Sequence, residues 1–107
     1  MVTAVFYKSS DNKMLGFEIS GHAGYAEYGN DIACASVSSA VMLTANTMTE
    51  VFKVNAKVKV NEDEILLKLV EDKDGNGDKL ILGLLMQMDI LSDEFPGSIK
   101  IVTKTAS

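Results

Sequence analysis

The stretch Met1 to Ile19, MVTAVFYKSSDNKMLGFEI, decides the fold. Val2, Ala4 and Phe6 alternate with Thr3, Val5 and Tyr7, and after Ser9-Ser10-Asp11-Asn12 the same period resumes at Leu15, Phe17 and Ile19. Successive side chains of a strand point to opposite faces, so two period-2 runs joined by a polar turn read as a β-hairpin. Downstream, Gly21, Gly24 and Gly29 punctuate GHAGYAEYG, nine residues with neither strand nor helix period, which read as a loop. Asn30 or Asp31 then caps a helix running to about Lys53, with Cys34, Val37, Val41, Ala45, Met48 and Phe52 on one stripe.

The pattern then repeats in outline. Val58 and Val60 alternate with Lys57 and Lys59, Asn61-Glu62-Asp63 supplies a turn, and Ile65, Leu67 and Leu69 continue on a second strand. After the polar run Asp72 to Gly77, an apolar helical face comprises Leu80, Ile81, Leu84, Leu85, Met88 and Leu91. Pro96 disfavours helix in the residue before it, which places the helix end near Glu94. Ile99, Ile101 and Thr103 form a last short strand. The predicted order is ββαββαβ, an α+β fold with two helices packed on a sheet of up to five strands. The methionines at 42, 48, 86 and 88 fall at helix spacing and are expected in the core.

A chain of 107 residues, 47% apolar and 23% charged, fits one globular domain spanning 1–107. With one cysteine it forms no internal disulfide, which suits the cytoplasm. Fifteen acidic residues against ten lysines give a net charge of −5, and there is no arginine. Arginine forks dominate phosphate and guanine recognition, so no nucleic-acid role is expected, and an acidic surface suits a basic partner. The longest apolar run, Leu80 to Met86, is soon interrupted by Gln87 and Asp89, and neither it nor the short N-terminal strand reads as a membrane span or signal peptide.

One histidine and one cysteine stand twelve positions apart, His22 in the glycine-punctuated loop and Cys34 in the first turns of the helix that follows. Unpaired N–H groups and the positive end of a helix dipole favour a thiolate, and a nearby imidazole assists it, so this placement suits a nucleophile. The same N–H groups suit an oxyanion. The plainer reading makes Cys34 a small buried hydrophobe and His22 an ordinary surface group. Asp31, three residues before Cys34, either orients His22 or simply favours the helix dipole. Ser38, one turn after Cys34, either hydrogen-bonds within a site or returns its hydroxyl to the carbonyl four residues back.

No cofactor or metal is expected. His22, Asp31 and Cys34 supply one soft ligand, too few for structural zinc. Asp72-Lys73-Asp74-Gly75-Asn76-Gly77-Asp78 has the opening of a calcium loop, but its twelfth position falls on Gly83 where a bidentate glutamate is required. A solvated turn with a helix cap is the expected use.

The segment Gly21 to Ser38, GHAGYAEYGNDIACASVS, resembles the signature of the bacterial ribosomal-processing cysteine protease family, also called Prp. It joins a Gly-His pair, a Tyr-Gly toward the loop's end, an Asp, a Cys three residues on and a Ser four after that. The resemblance extends loosely along the chain in length, element order and single-cysteine composition. It implies a Cys-His dyad with Cys34 as nucleophile and His22 as general base and acid. It further implies Asp31 and Ser38 as supporting residues, and Gly21, Gly24 and Gly29 as flexible points of the loop. Ala33 departs from the larger β-branched residue expected there.

By the same resemblance the substrate is the precursor of large-subunit ribosomal protein twenty-seven, which loses a short N-terminal extension, and the enzyme is a homodimer. The cleaved segment of such precursors is apolar and contains phenylalanine, suiting a groove lined by Tyr25, Tyr28 and apolar helix residues. A non-catalytic ribosome-associated binding module with a structural cysteine is the competing expectation. A thiol redox sensor is a third, without a resolving cysteine in the chain.

Overall fold

In the computed structural model, residues 1–21 and 30–106 are described. The order is β1 (Val2–Lys8), β2 (Met14–Ser20), α1 (Asn30–Asn46), a π-helical turn (Thr47–Val51), β3 (Asn55–Val60), β4 (Glu64–Glu71), α2 (Asn76–Glu94) and β5 (Ile99–Thr105). This is the expected ββαββαβ α+β architecture. One sheet runs β3-β4-β2-β1-β5, antiparallel throughout except where β1 and β5 pair in parallel.

The pairings place each helix. Strands β2 and β3 run in the same direction with β4 between them, so α1, which joins them, crosses the β4 side of the sheet. Helix α2 joins β4 to β5 across β2 and β1, and it packs on β2 and β5. Both helices bury one face of the sheet. Val2, Ala4, Phe6, Phe17, Ile19, Ile65 and Leu67 meet Val37, Val41, Ala45 and Met48 from the α1 segment and Ile81, Leu84, Met88 and Leu91 from α2 in a single apolar cluster.

Local chemistry explains the ends of α2. Gly75 enters it with φ 74°, and the two carboxylate oxygens of Asp72 accept from the N–H groups of Gly77 and Asp78, each at 2.9 Å. These are first-turn donors with no partner inside the helix, so the polar run serves as the expected turn and cap. Asp78 in turn accepts from the Met14 N–H at 2.7 Å, tying the helix start to β2. The helix ends at Glu94, as Pro96 requires.

Three expectations are corrected. First, Leu15 does not share a face with Phe17. Tyr7 pairs with Gly16 and Lys8 with Met14, so β2 carries an extra residue, a β-bulge that turns Leu15 to the outer face beside Tyr7, Leu66 and Lys68. Gly16 belongs to the same irregularity, because a Cβ there would run into the Leu67 carbonyl. Second, Phe52 leaves the α1 stripe and is 48% exposed. In the π-helical turn the Phe52 N–H reaches back five residues to Thr47, so each residue advances less than 100° and the phase drifts outward. Lys53, at φ 55°, ends the segment.

Third, only Met48 and Met88 of the four methionines are buried, whereas Met42 and Met86 lie on helix flanks that no layer covers. Val58 and Val60 stand opposite buried Leu67 and Ile65 and so face the helix layer, yet both are exposed because β3 is the sheet edge beyond its reach. The segment Ile32–Val51 is also long and apolar enough to cross a membrane, with mean hydropathy 1.2. Val37, Val41, Ala45 and Met48 of this segment enter the core, whereas Ile32, Met42, Leu43 and Val51 are exposed.

Candidate active site

Strand β2 ends beside the start of β4, where Ser20 pairs with Glu64 and the Gly21 N–H donates to the Asp63 carbonyl at 3.0 Å. The chain leaves the sheet there with Gly21 at φ +76°, a conformation that side chains rarely adopt. It re-enters described structure at Asn30, the first residue of α1. His22, Gly24, Tyr25, Tyr28 and Gly29 lie outside the described residues. Asp31 is placed by its backbone in the first turn of α1.

Cys34 follows one turn into α1. Helical side chains tilt toward the N-terminus, so its thiol is carried back toward the start of α1. The thiol is free, and the residue is half-buried, packed against the edge of the core. Its neighbour Ala33 is buried.

Ser38, also half-buried, repeats the position of Cys34 one turn on. Thr44 and Thr49 donate to the carbonyls of Ala40 and Ala45, at 2.8 and 3.0 Å, in the back-bonding pattern common to helical hydroxyls. Among the described residues the Ser38 hydroxyl has no such partner.

The side of α1 that faces α2 is marked by a groove of about 840 Å³ lined by Ser36, Ala40, Leu43 and Thr44 from α1, Thr47 from the π-helical turn, and Leu80, Leu84 and Gln87 from α2. At 100° per residue, Cys34, Ser38 and Met42 fall on the opposite flank, toward β3. This flank and the exposed valines of β3 were missed by the sequence reading. Their signal was present in the uncharged run Ile32 to Thr49, longer than one buried stripe requires. No cluster of three or more metal-binding side chains exists among the described residues.

Cys34 is thus a half-buried free thiol one turn into α1, and helix starts are settings that favour a thiolate. The family model of cysteine protease Prp matches residues 1–100, and the chain belongs to that family. The ribosomal processing cysteine protease Prp of Bacillus subtilis (strain 168) is 25% identical over 109 residues, covering 96% of this chain and 97% of that one. Two solved structures share the fold. The essential ribosomal processing protease Prp from S. aureus, in complex with a substrate peptide, superposes with a TM-score of 0.90 at 18% identity, over 97% of this chain and 100% of that one. A Streptococcus mutans protein superposes with a TM-score of 0.87 at 24% identity, over 99% and 96% of the two chains.

Proposed function

We propose that this chain is a cysteine endopeptidase with a Cys34-His22 dyad that removes the short N-terminal extension from the precursor of large-subunit ribosomal protein twenty-seven. The observation that carries the reading is the half-buried free thiol of Cys34 one turn into α1, in a chain of the cysteine protease Prp family. The resemblance of Gly21 to Ser38 to the family signature supplies the histidine and the substrate.

The chemistry follows from the residue types. The Cys34 sulfur attacks the scissile carbonyl, and His22 takes the thiol proton and delivers it to the departing amine as the C–N bond breaks. A thioester then links the extension to Cys34. Water, deprotonated by His22, attacks the thioester carbonyl, and the C–S bond breaks to return the thiol and a free carboxylate. N–H groups of the first turn of α1 suit the oxyanion of each tetrahedral step, Asp31 orients the imidazole, and Ser38 supports the thiol. Tyr25 and Tyr28 contact the extension, while Gly21, Gly24 and Gly29 let the loop adapt to it.

The net charge of −5 suits a basic ribosomal substrate in the cytoplasm. The homodimer is supported by exposed Ile32 and Leu43 on α1 and Leu82, Met86 and Ile90 on α2, an apolar helix layer that a second copy would cover. Purified protein incubated with its own organism's precursor tests the reading. Mass spectrometry should show the shortened ribosomal protein and a released peptide. Stable binding without any trimming would instead favour the binding-module reading.

A further inference from the structure

We propose that the face of the sheet turned away from both helices docks an acidic peptide segment of another protein, with one apolar side chain of that segment seated in a cavity over Gly16 and its carboxylates on Lys57, Lys68 and Lys104. This face lies across the sheet from the helix that carries Cys34, so an occupant leaves the thiol free.

Strand register fixes what this outer face carries. Lys57 on β3 pairs with Lys68 on β4, Lys68 with Gly16 on β2, Gly16 with Tyr7 on β1, and Tyr7 with Lys104 on β5, so one row crosses the whole sheet. The neighbouring row is Lys59, Leu66, Glu18, Val5 and Val102. Beyond it stand Glu64, Ser20, Thr3 and Lys100. Five of the ten lysines thus share this face with two of the fifteen acidic residues, in a chain of net charge −5. Basic charge, the minority in the sequence, is collected on one surface, which attracts an anionic partner that the rest of the molecule repels.

The fold gains nothing from these charges by pairing them. Lys57 stands directly opposite Lys68, and like charges so placed repel. All five lysines are exposed and, among the described residues, none of them forms an ion pair. Glu18, the carboxylate nearest the centre of the face, accepts instead from the Tyr7 hydroxyl at 3.2 Å. Carboxylates supplied from outside the chain relieve the repulsion between Lys57 and Lys68.

Gly16 interrupts the first row, leaving no side chain between Lys68 and Tyr7. A cavity of about 280 Å³ opens there, lined by Tyr7, Leu15, Leu66, Lys68 and Ala106. Leu15, brought to this face by the β2 bulge, and Leu66 make its walls aliphatic, with room for one large apolar side chain. An aliphatic cavity beside ammonium groups is complementary to an apolar side chain beside carboxylates. Nucleic acid fits less well. Single strands are held by several stacking rings and by arginine, whereas this face has one ring, Tyr7, and the chain has no arginine. Glu18 near the centre of the face also opposes a phosphate backbone.

Nuclear magnetic resonance on isotope-labelled protein tests this. The probe is a synthetic peptide with one phenylalanine flanked on both sides by glutamates, titrated into the parent protein. Backbone amide shifts should saturate and centre on Tyr7, Gly16, Leu66 and Lys68, and affinity should fall as salt rises. Lys57→Gln combined with Lys68→Gln should weaken binding by about fivefold or more, and so should alanine in place of the peptide's phenylalanine. Lys73→Gln combined with Lys79→Gln, an equal change of charge away from this face, should leave binding within about twofold. All four lysines are exposed, so thermal melting should show both double variants folded. Absence of saturable shifts up to about 1 mM peptide, shifts confined to the helix layer, or equal loss in both double variants overturns the proposal. Tighter binding of oligouridylate than of the peptide would assign the face to nucleic acid and overturn it as well. Binding here asks nothing of Cys34, so it succeeds or fails independently of precursor trimming.

Discussion

The Gly21 N–H donates to the Asp63 carbonyl at 3.0 Å, which pins the end of β2 to the turn between β3 and β4. Through this bond the end of β2 and the turn that leads from β3 into β4 share one anchor. The ends of β2 and β3 and the start of β4 therefore meet at one end of the sheet.

Replacing Gly21 tests that anchor. Its φ of +76° costs a side chain about 1–2 kcal/mol, and a Cβ would also approach the Met1 carbonyl oxygen to 2.5 Å. Gly21→Ala is expected to lower stability by at least that amount, read as a shift of the urea midpoint at constant slope. An unchanged midpoint would show that the anchor is dispensable.

The contrast between Leu67 and Val60 separates core from edge. Leu67, fully buried on β4, should cost about 2–5 kcal/mol when replaced by alanine. Val60→Ala, on the uncovered edge, should change stability by less than about 0.5 kcal/mol. Equilibrium unfolding of the two variants measures both. A Val60 effect as large as that of Leu67 would mean that the helix layer covers β3 after all.

Much of this was legible in the sequence because periodicity reports which face of an element is apolar. The strands, both helices and the Asp72 cap were readable in this way, and Pro96 marked the end of α2. Periodicity does not report how far the second layer extends. Val58 and Val60 carry the same pattern as Ile65 and Leu67, and only the strand order makes one pair edge and the other core. Nor does a two-residue period survive an insertion. The bulge at Leu15 reverses its face, and the π-helical turn turns Phe52 outward, with no residue type that announces either. Cys34 and Ser38 were singled out from spacing and family resemblance, while the flank they share with Met42 became visible only once α2 was placed on the other side.

Tyr7 gives the fold a pH dependence of its own. Burial, and then the Glu18 carboxylate to which its hydroxyl donates at 3.2 Å, raises its phenol above the ordinary 10.0. As pH climbs past about 10 the unfolded chain loses this proton first, so stability fully present below that pH falls as the folded-state value is approached. Tyr7→Phe should flatten the alkaline decline. Urea midpoints of both proteins between about pH 8 and pH 11 check this, and parallel declines would contradict it.

The central claim is that the Cys34 sulfur breaks the bond while other parts of the chain hold the peptide. Cys34→Ala removes the nucleophile and little volume, so the variant should bind the precursor within a few-fold of the parent. Mixed with the ribosomal-protein precursor and followed by mass spectrometry, it should leave the N-terminal extension intact while the parent protein removes it. Trimming by Cys34→Ala at the parent rate would contradict the account.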